Sequence, residues 1–524
     1  MRVRHWLAVL PLVAAGQGWC ADTAETPDPL MDLFIQKGYV TQQEAAKVKA
    51  EADRMRTNEL TNASLPAPGR SPGFKSIEIF GDVRLRYEDR SANDPTGGNI
   101  DYQRMRYAVR FGLRGGLPGD VYYGIRMETS QNPRSPFVTF GTSSSSSYPG
   151  PYGKSTATLA VGQFYIGWHP QDWVDVTLGK MGNPLYTTSL VWDSDLNPEG
   201  AAERFKYTVG DAEFFATFGQ FIYQDVNPNA ASGGLGINGL SGQNANNIFQ
   251  IAWQGGFKYN FNTNTFAKVA ATIYQYTGFQ RSSVNSGPAL SPYFGDPYVG
   301  EGAALIDPGN SSGYGGYGTS STLPGYGSSG YPLNQVGLDN LLVLEFPFEF
   351  DFKVKHLDTR IFGDFAYNLH GSQRAQEAAS AYSYVLSQSP NSTVKTSPFS
   401  PQTSDVKAYQ IGFSVGSEHG RSSASGVFLK RHAWEFTTFW QHTEQYALDP
   451  NIIDSDIFEG RENMQGICVG LAYGITDNLV GSVRYAHASR INNQLGTGGS
   501  NADLPQMNPI DSYNLFQLDL GVKF

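Results

Sequence analysis

The chain has 524 residues, of which only 16% are charged while 13% are aromatic and 59 are glycine, a balance unlike that of an ordinary soluble enzyme. A formal net charge of −10 argues against a nucleic-acid binder. Mean hydropathy is −0.35, and the only long apolar run lies at the N-terminus, too short to span a bilayer, so a helical membrane protein is excluded. Two cysteines leave no disulfide framework or metal cluster, and no cofactor is expected. Either two or three soluble domains or one large barrel fits this length.

Residues 1–21 read as a secretory signal, with Arg2 and Arg4 before an apolar core from Trp6 to Ala15. Cleavage after Ala21 places Trp19 at an unfavourable position, and the Gly16/Gly18 pair is an alternative; the residues before Cys20 do not form a lipoprotein box. Residues 22–73 are expected to hold a periplasmic helical segment and a linker. Leu30, Leu33 and Phe34 form a short apolar face that stops at Lys37-Gly38. Thr41-Gln-Gln-Glu44 then reads as a capping box, with Ala45, Val48, Ala52 and Met55 on one side of the next helix. This piece is either a solvated helix without a specific role or an arm for oligomerisation or cell-wall contact. Pro66, Pro68 and Pro72 mark the linker.

From Ile77 the period becomes two. The first strand, Ile77 to Arg90, sets Ile77, Ile79, Val83, Leu85 and Tyr87 against Glu78, Asp82, Arg84, Arg86 and Glu88. The second, Tyr102 to Gly116, sets Met105, Tyr107, Val109, Phe111 and Leu113 against Arg104, Arg106, Arg110 and Arg114. After the Leu117–Asp120 turn, a third places Val121, Tyr123, Ile125 and Met127 opposite Arg126 and Glu128. Further strands are expected near 158–168, 173–181, 203–210, 212–224, 247–260, 265–278, 340–355, 359–370, 405–418, 431–446, 462–473, 479–490 and 513–524. Short turns at 115–120, 169–172, 210–211, 260–264, 356–359 and 474–478 alternate with long loops rich in Gly, Ser, Asn, Pro and Tyr; a longer connection near 417–430 breaks the rule. Short turns at one end and long loops at the other are the pattern of a transmembrane barrel with both barrel termini in the periplasm.

The predicted fold is therefore all-β: a transmembrane antiparallel β-barrel over 74–524, of about sixteen strands, preceded by the short helical segment. Phe346, Phe348, Phe350, Phe352 and Val354 make a lipid-facing row opposite Glu345, Glu349, Asp351, Lys353 and Lys355. Trp168, Trp173, Trp434 and Trp440 suit an interfacial girdle. The last strand alternates Phe516, Leu518, Leu520, Val522 and Phe524 with Gln517, Asp519 and Lys523, and the first strand is its expected neighbour. A chain ending on such an aromatic resembles outer-membrane barrel proteins, which implies recognition of this strand by the barrel-assembly machinery and a surround of outer-membrane lipid and lipopolysaccharide.

Sixteen strands leave room for water, so the polar face is expected to line a channel. Arg84, Arg86, Arg104, Arg106, Arg110, Arg114 and Arg126 then form a permanently positive wall that would attract anions. Alternatively they fill space as ion pairs with Glu78, Asp82, Glu88 and Glu128; the two readings coexist. The loop from Met181 to about Ala202 stands apart in composition, carrying Asp193, Asp195 and Glu199. Gly179-Lys-Met-Gly-Asn-Pro184 followed by Leu190-Val-Trp-Asp-Ser-Asp-Leu-Asn-Pro-Glu-Gly200 resembles the segment shared by a bacterial "putative porin" family. The likeness extends to the signal, the helical piece and the barrel. It implies a passive outer-membrane channel for small hydrophilic solutes or ions, as a homotrimer or a monomer, in which loop 181–202 folds inward and sets Asp193, Asp195 and Glu199 opposite the arginine wall.

Three other readings stand beside the channel. Asp193-x-Asp195-x-Asn197 alternates oxygens as a calcium loop does, but Pro198 stands at the turn glycine and Arg204 where the bidentate Glu belongs. A hydrolase would need a nucleophile and base; His442 and His487 lie in strands, and neither Gly-x-Ser-x-Gly nor His-Glu-x-x-His occurs. A structural or adhesive outer-membrane protein held through the helical arm is the remaining alternative to a channel. The solute and the sign of charge selectivity stay open.

Overall fold

A computed structural model describes residues 75–95, 97–131, 134–141, 158–224, 248–277, 295–296, 336–337, 341–376, 404–417, 429–493, 495–497, 503–504, 507 and 509–524. The chain divides into Met1–Pro72 and Gly73–Phe524, and all described residues fall in the second unit. The expected signal, helical segment and linker all lie outside the described residues, as does most of the long 279–339 connection.

Sixteen strands close into one antiparallel barrel. They are β1 Glu78–Asn93, β2 Asn99–Leu117, β3 Val121–Ser130, β4 Thr158–Gln171, β5 Val174–Lys180, β6 Glu199–Val209, β7 Ala212–Gln224 and β8 Ile248–Asn262. Next come β9 Thr265–Thr277, β10 in two pieces (Leu342–Glu345 and Phe348–Val354), β11 Leu357–Asn368, β12 Lys407–Gly416, β13 Trp434–Thr443, β14 Met464–Gly474, β15 Leu479–Arg490 and β16 Ser512–Lys523. Each pairs with its predecessor, and β16 returns to β1 with Leu520 opposite Leu85 and Asp519 opposite Arg86. Closure leaves no exposed sheet edge. The break in β10 falls at Phe346-Pro347, where the missing proline N–H interrupts pairing with β9 while the carbonyl of Pro347 still accepts from Ala270 at 3.1 Å. Alternation carries through it: Phe346, Phe348 and Phe350 stay outside, Glu345, Glu349 and Asp351 inside.

The faces follow the sequence. Ile79, Leu85, Met105, Phe111, Leu518, Leu520 and Val522 are exposed on the outer surface, where an apolar band belongs in a membrane barrel, while Arg86, Arg90, Glu88 and Gln517 are buried inside. Two boundaries change the reading of loops. The β1–β2 connection is only residues 94–98, because Asn93 pairs with Asn99 and the hairpin runs on past the expected strand ends. β6 begins at Glu199 rather than 203, since Glu199 to Ala202 pair with Lys180 to Thr177.

The interior is not simply polar. One apolar cluster joins Met181, Leu185, Leu190, Val191 and Trp192 to Phe221, Tyr274, Val343, Leu448 and Ile453. A second joins Ile457 and Phe458 to Met464, Ala488, Leu504, Ile510 and Leu515. Connections 181–198 and 444–463, with Leu504, Met507 and Ile510 of the last long loop, thus fold into the barrel and carry its core.

Candidate functional site

Loop 181–198 leaves β5 and rejoins β6 at Gly179 and Gly200, which are directly paired across the two strands. Both take positive φ, 117° and 148°. A Cβ at Gly179 would sit 2.3 Å from the Phe164 carbonyl oxygen and one at Gly200 2.1 Å from that of Gln220. Only glycine tolerates this backbone and this approach, so the pair is what turns the chain into the lumen.

From there the loop crosses the interior. Tyr186 exchanges hydrogen bonds with the Gln254 side chain, its N–H donating at 2.9 Å and its carbonyl accepting at 2.8 Å. Thr187 donates to Glu345, which also accepts from Tyr274 at 2.7 Å. Thr188 donates to Asp364 at 2.6 Å. The Trp192 ring packs edge-on against Phe221, and its indole N–H donates to the Leu196 carbonyl at 3.0 Å. At the far side Asn197 accepts from Gln163 at 2.8 Å and Asp195 accepts from Arg110. Inward residues of β2, β4, β7, β8, β9, β10 and β11 therefore all hold this one loop.

Asp193 is buried and points away from the arginines: its carboxylate accepts from the Ser455 hydroxyl at 2.9 Å and backbone N–H at 3.2 Å. Burial, with Asp454 and Asp195 nearby, pushes it well above the usual carboxylate range. Asp193, Asp195 and Asn197 thus serve three separate partners. Glu199 does not join them. It is the first residue of β6, exposed, and paired with Lys180 at 2.5 Å.

The arginines are brought together but covered. Glu88 sits among Arg86, Arg90, Arg104 and Arg106 at 3.5, 3.4, 2.6 and 3.4 Å. Arg86 also binds Asp519 at 2.6 Å and Asp456 at 3.0 Å. Arg90, a member of this cluster that the sequence reading passed over, donates to Tyr513 at 2.6 Å and meets Asp503 at 3.0 Å. Arg84 binds Asp82 at 2.8 Å, and Arg126 and Arg110 share Glu128 at 3.0 and 3.4 Å. Arg114 stands apart, in an exposed pair with Glu78 at 2.6 Å near the short-turn end. Of the expected positive wall, Arg86 has a side chain only 1% exposed beneath the loops, and its neighbour Arg90 is 0% exposed, the packing that the ion-pair alternative describes.

Loop 444–463 supplies much of that cover and was not foreseen as an interior element. Its Asp449 accepts from Tyr276 at 2.6 Å, and Asp456 meets Arg86. Arg461 donates to the carbonyls of Thr497, Met507 and Leu504 at 2.9, 3.0 and 2.7 Å, tying it to the last long loop. Burial acts on Asp454 and Asp456 alike, yet Arg86 and Arg484 hold Asp456 low while Asp454, beside Asp456, is pushed up to about 7. The signal in the sequence was the pair Ile452-Ile453 and then Ile457-Phe458, apolar residues that a solvated loop has no reason to carry.

Open space lies elsewhere. A cavity of about 450 Å³ separates loop residues 183–194 from the inner wall of β10 to β15. Its charged lining is Glu349, Arg360, Glu435 and Arg484; Gln410, Thr437 and Ser482 add neutral polar groups. His442 is not part of it: the ring stacks on Tyr409 at 4.7 Å and bonds Gln465 at 3.1 Å.

Among solved structures, one titled "High pH structure of Pseudomonas putida OprB" is similar to this chain at 12% identity and a TM-score of 0.42, covering 86% of this chain and 94% of that one. No curated protein matches the chain. A family model described as "Putative porin" matches residues 91–524, which is nearly the whole barrel, and the chain belongs to that family.

Proposed function

We propose that the chain is a passive outer-membrane channel for small hydrophilic solutes, and that loop 181–198 narrows it. The observation that carries this reading is the loop's anchorage on seven strands around the interior, with a cavity left between residues 183–194 and the β10–β15 wall. A loop fixed at both ends and along its length cannot sway out of the lumen as a free surface loop would. Solutes then pass on the side away from Arg86 and Arg90.

Asp195 does not face the arginines across a gap but is bonded directly to Arg110. The passage itself carries two carboxylates and two guanidiniums, so it favours neither sign of ion strongly. The outer apolar surface meets lipid.

Purified protein in planar bilayers tests this. Stable conductance steps and a reversal potential near zero in a potassium chloride gradient are expected. Asp193→Asn with Asp195→Asn should raise conductance or add flicker, because the loop loses its tie to Arg110 and weakens that to Ser455; Glu199→Gln should change neither. No conductance, or an Asp193→Asn/Asp195→Asn variant identical to the parent, refutes the constriction.

A further inference from the structure

The cavity beside the loop is more than a gap, because its wall carries two guanidiniums and two carboxylates. One register row runs across five strands: Arg360 on β11 is paired with Ser414, Ser414 with Thr437, Thr437 with Gly470, and Gly470 with Arg484 on β15. All five face inward. Two guanidiniums thus stand at the ends of a row whose middle holds a serine, a threonine and a glycine; Thr437 and Gly470 line the cavity, and the missing side-chain volume at Gly470 is part of what leaves it open. The ends of the row are four strand spacings apart, roughly 19 Å measured along the sheet.

At the β10–β11 end the ion pair is open. Arg360 and Glu349 approach only to 3.9 Å, beyond hydrogen-bond reach. Glu349 is 8% exposed, its Oε1 has no hydrogen-bond partner, and neither has the Nε of Arg360. The guanidinium is held from behind by the Phe362 ring at 4.8 Å. Pairs in the arginine cluster close to 2.6 Å, as Arg86–Asp519 and Arg104–Glu88 do. Two opposite charges that are buried, adjacent and not bonded to each other leave hydrogen-bonding capacity for a third party.

The chemistry of that third party follows from the sign of each neighbour. A lone anion at Arg360 meets the carboxylate of Glu349, and a lone cation at Glu349 meets the guanidinium of Arg360. A molecule carrying an ammonium and a carboxylate a few atoms apart satisfies both at once. We propose that the passage holds a binding station for small zwitterions of amino-acid size, with the solute carboxylate on Arg360 and its ammonium on Glu349. Ser189 and Ser194 on the loop side line the same cavity and offer hydroxyls to the solute. A volume of about 450 Å³ admits such a molecule with water to spare.

This rests on the channel reading, and the test separates the two. The full chain is reconstituted in planar bilayers in potassium chloride, and L-alanine, sodium acetate and methylammonium chloride are added in turn. Saturable reduction of the current by L-alanine, with little by acetate or methylammonium at equal concentration, is the expected result. Arg360→Gln and Glu349→Gln should each raise the half-blocking L-alanine concentration by about tenfold, the loss of one charge-assisted bond; Glu199→Gln, outside the cavity, should leave it unchanged. Conductance with no saturable L-alanine block, or equal block by the singly charged ions, overturns the zwitterion station while the channel stands. Absence of conductance overturns both.

Discussion

Two stretches of the inner wall carry the same residue types and behave oppositely. On β1, β2 and β16, arginines and carboxylates are packed into closed pairs under two inserted loops, and Glu88 alone serves four guanidiniums. On β10 to β15, Arg360, Glu349, Glu435 and Arg484 border a cavity; Arg360 and Glu349 stay 3.9 Å apart, while Arg484 reaches Asp519 at 3.3 Å. What separates the regions is not charge but cover. Where a loop lands on the wall, ions must be neutralised at contact distance because water has been excluded. Where it stands off, lining residues as small as Gly470 and Ser482 leave space, and Arg360 and Glu349 stand 3.9 Å apart without bonding each other. The filled side is structural; the open side is where the proposed passage runs.

The largest expected effect tests the filled side. Glu88→Gln removes the shared carboxylate from Arg86, Arg90, Arg104 and Arg106, and leaving buried guanidiniums without it should cost about 3–5 kcal/mol. Urea unfolding in detergent micelles checks this. A loss below about 1 kcal/mol, the range of exposed pairs, would mean that water reaches the cluster and that the contrast between the walls is false.

Next in size is a comparison on one strand. Leu520→Arg places a charge on the outer face and should cost about 2–4 kcal/mol if its position is near mid-membrane. Its neighbour Asp519 faces inward and would be harmless to replace if it merely lined water. It binds Arg86 at 2.6 Å and Arg484 at 3.3 Å, so Asp519→Asn should also destabilise, by about 1.5–3 kcal/mol. Heat-modifiability of the folded band on gels ranks the two. A fully stable Asp519→Asn variant would return β16 to the open side of the comparison.

The smallest effect concerns the cover itself. Asp454, on the inserted loop 444–463, is pushed up to about 7 by burial and by Asp456. A carboxyl raised in the folded state binds its proton there more tightly than in the unfolded chain, so it contributes stability at low pH that is lost as pH rises toward 7. Loop docking should therefore loosen across that range, read as increasing current flicker between about pH 4 and pH 7. Asp454→Asn should flatten the dependence; an unchanged profile would show that another group governs the loop.

Much of the barrel was legible before any coordinates. The strand count, the outward rows on β1, β2, β10 and β16, and the closure of β16 on β1 all follow from alternation, which is a property of neighbouring residues. Strand ends were less legible: Asn93↔Asn99 extends the first hairpin, and Glu199 enters β6, because pairing partners rather than local pattern fix where a strand stops. That shift removed Glu199 from the group formed by Asp193 and Asp195. Gly179 and Gly200 stood in the motif that carried the family resemblance, but their role at the foot of the loop needed the register that sets them face to face.

The sequence by itself determined which side of each strand faces lipid and which faces the lumen, since a period of two assigns every residue once one is placed. Only the tertiary structure decided which inward charges are used up and which stay open. Arg110 meets Asp195, 85 residues away, and Arg86 meets Asp519, 433 residues away. No local pattern encodes contacts at such separations. The second contact follows from the closure of β16 on β1; the first depends on where a loop comes to rest inside the barrel, and the resting place of the loops turns one arginine-rich wall into a core and leaves the other beside a cavity.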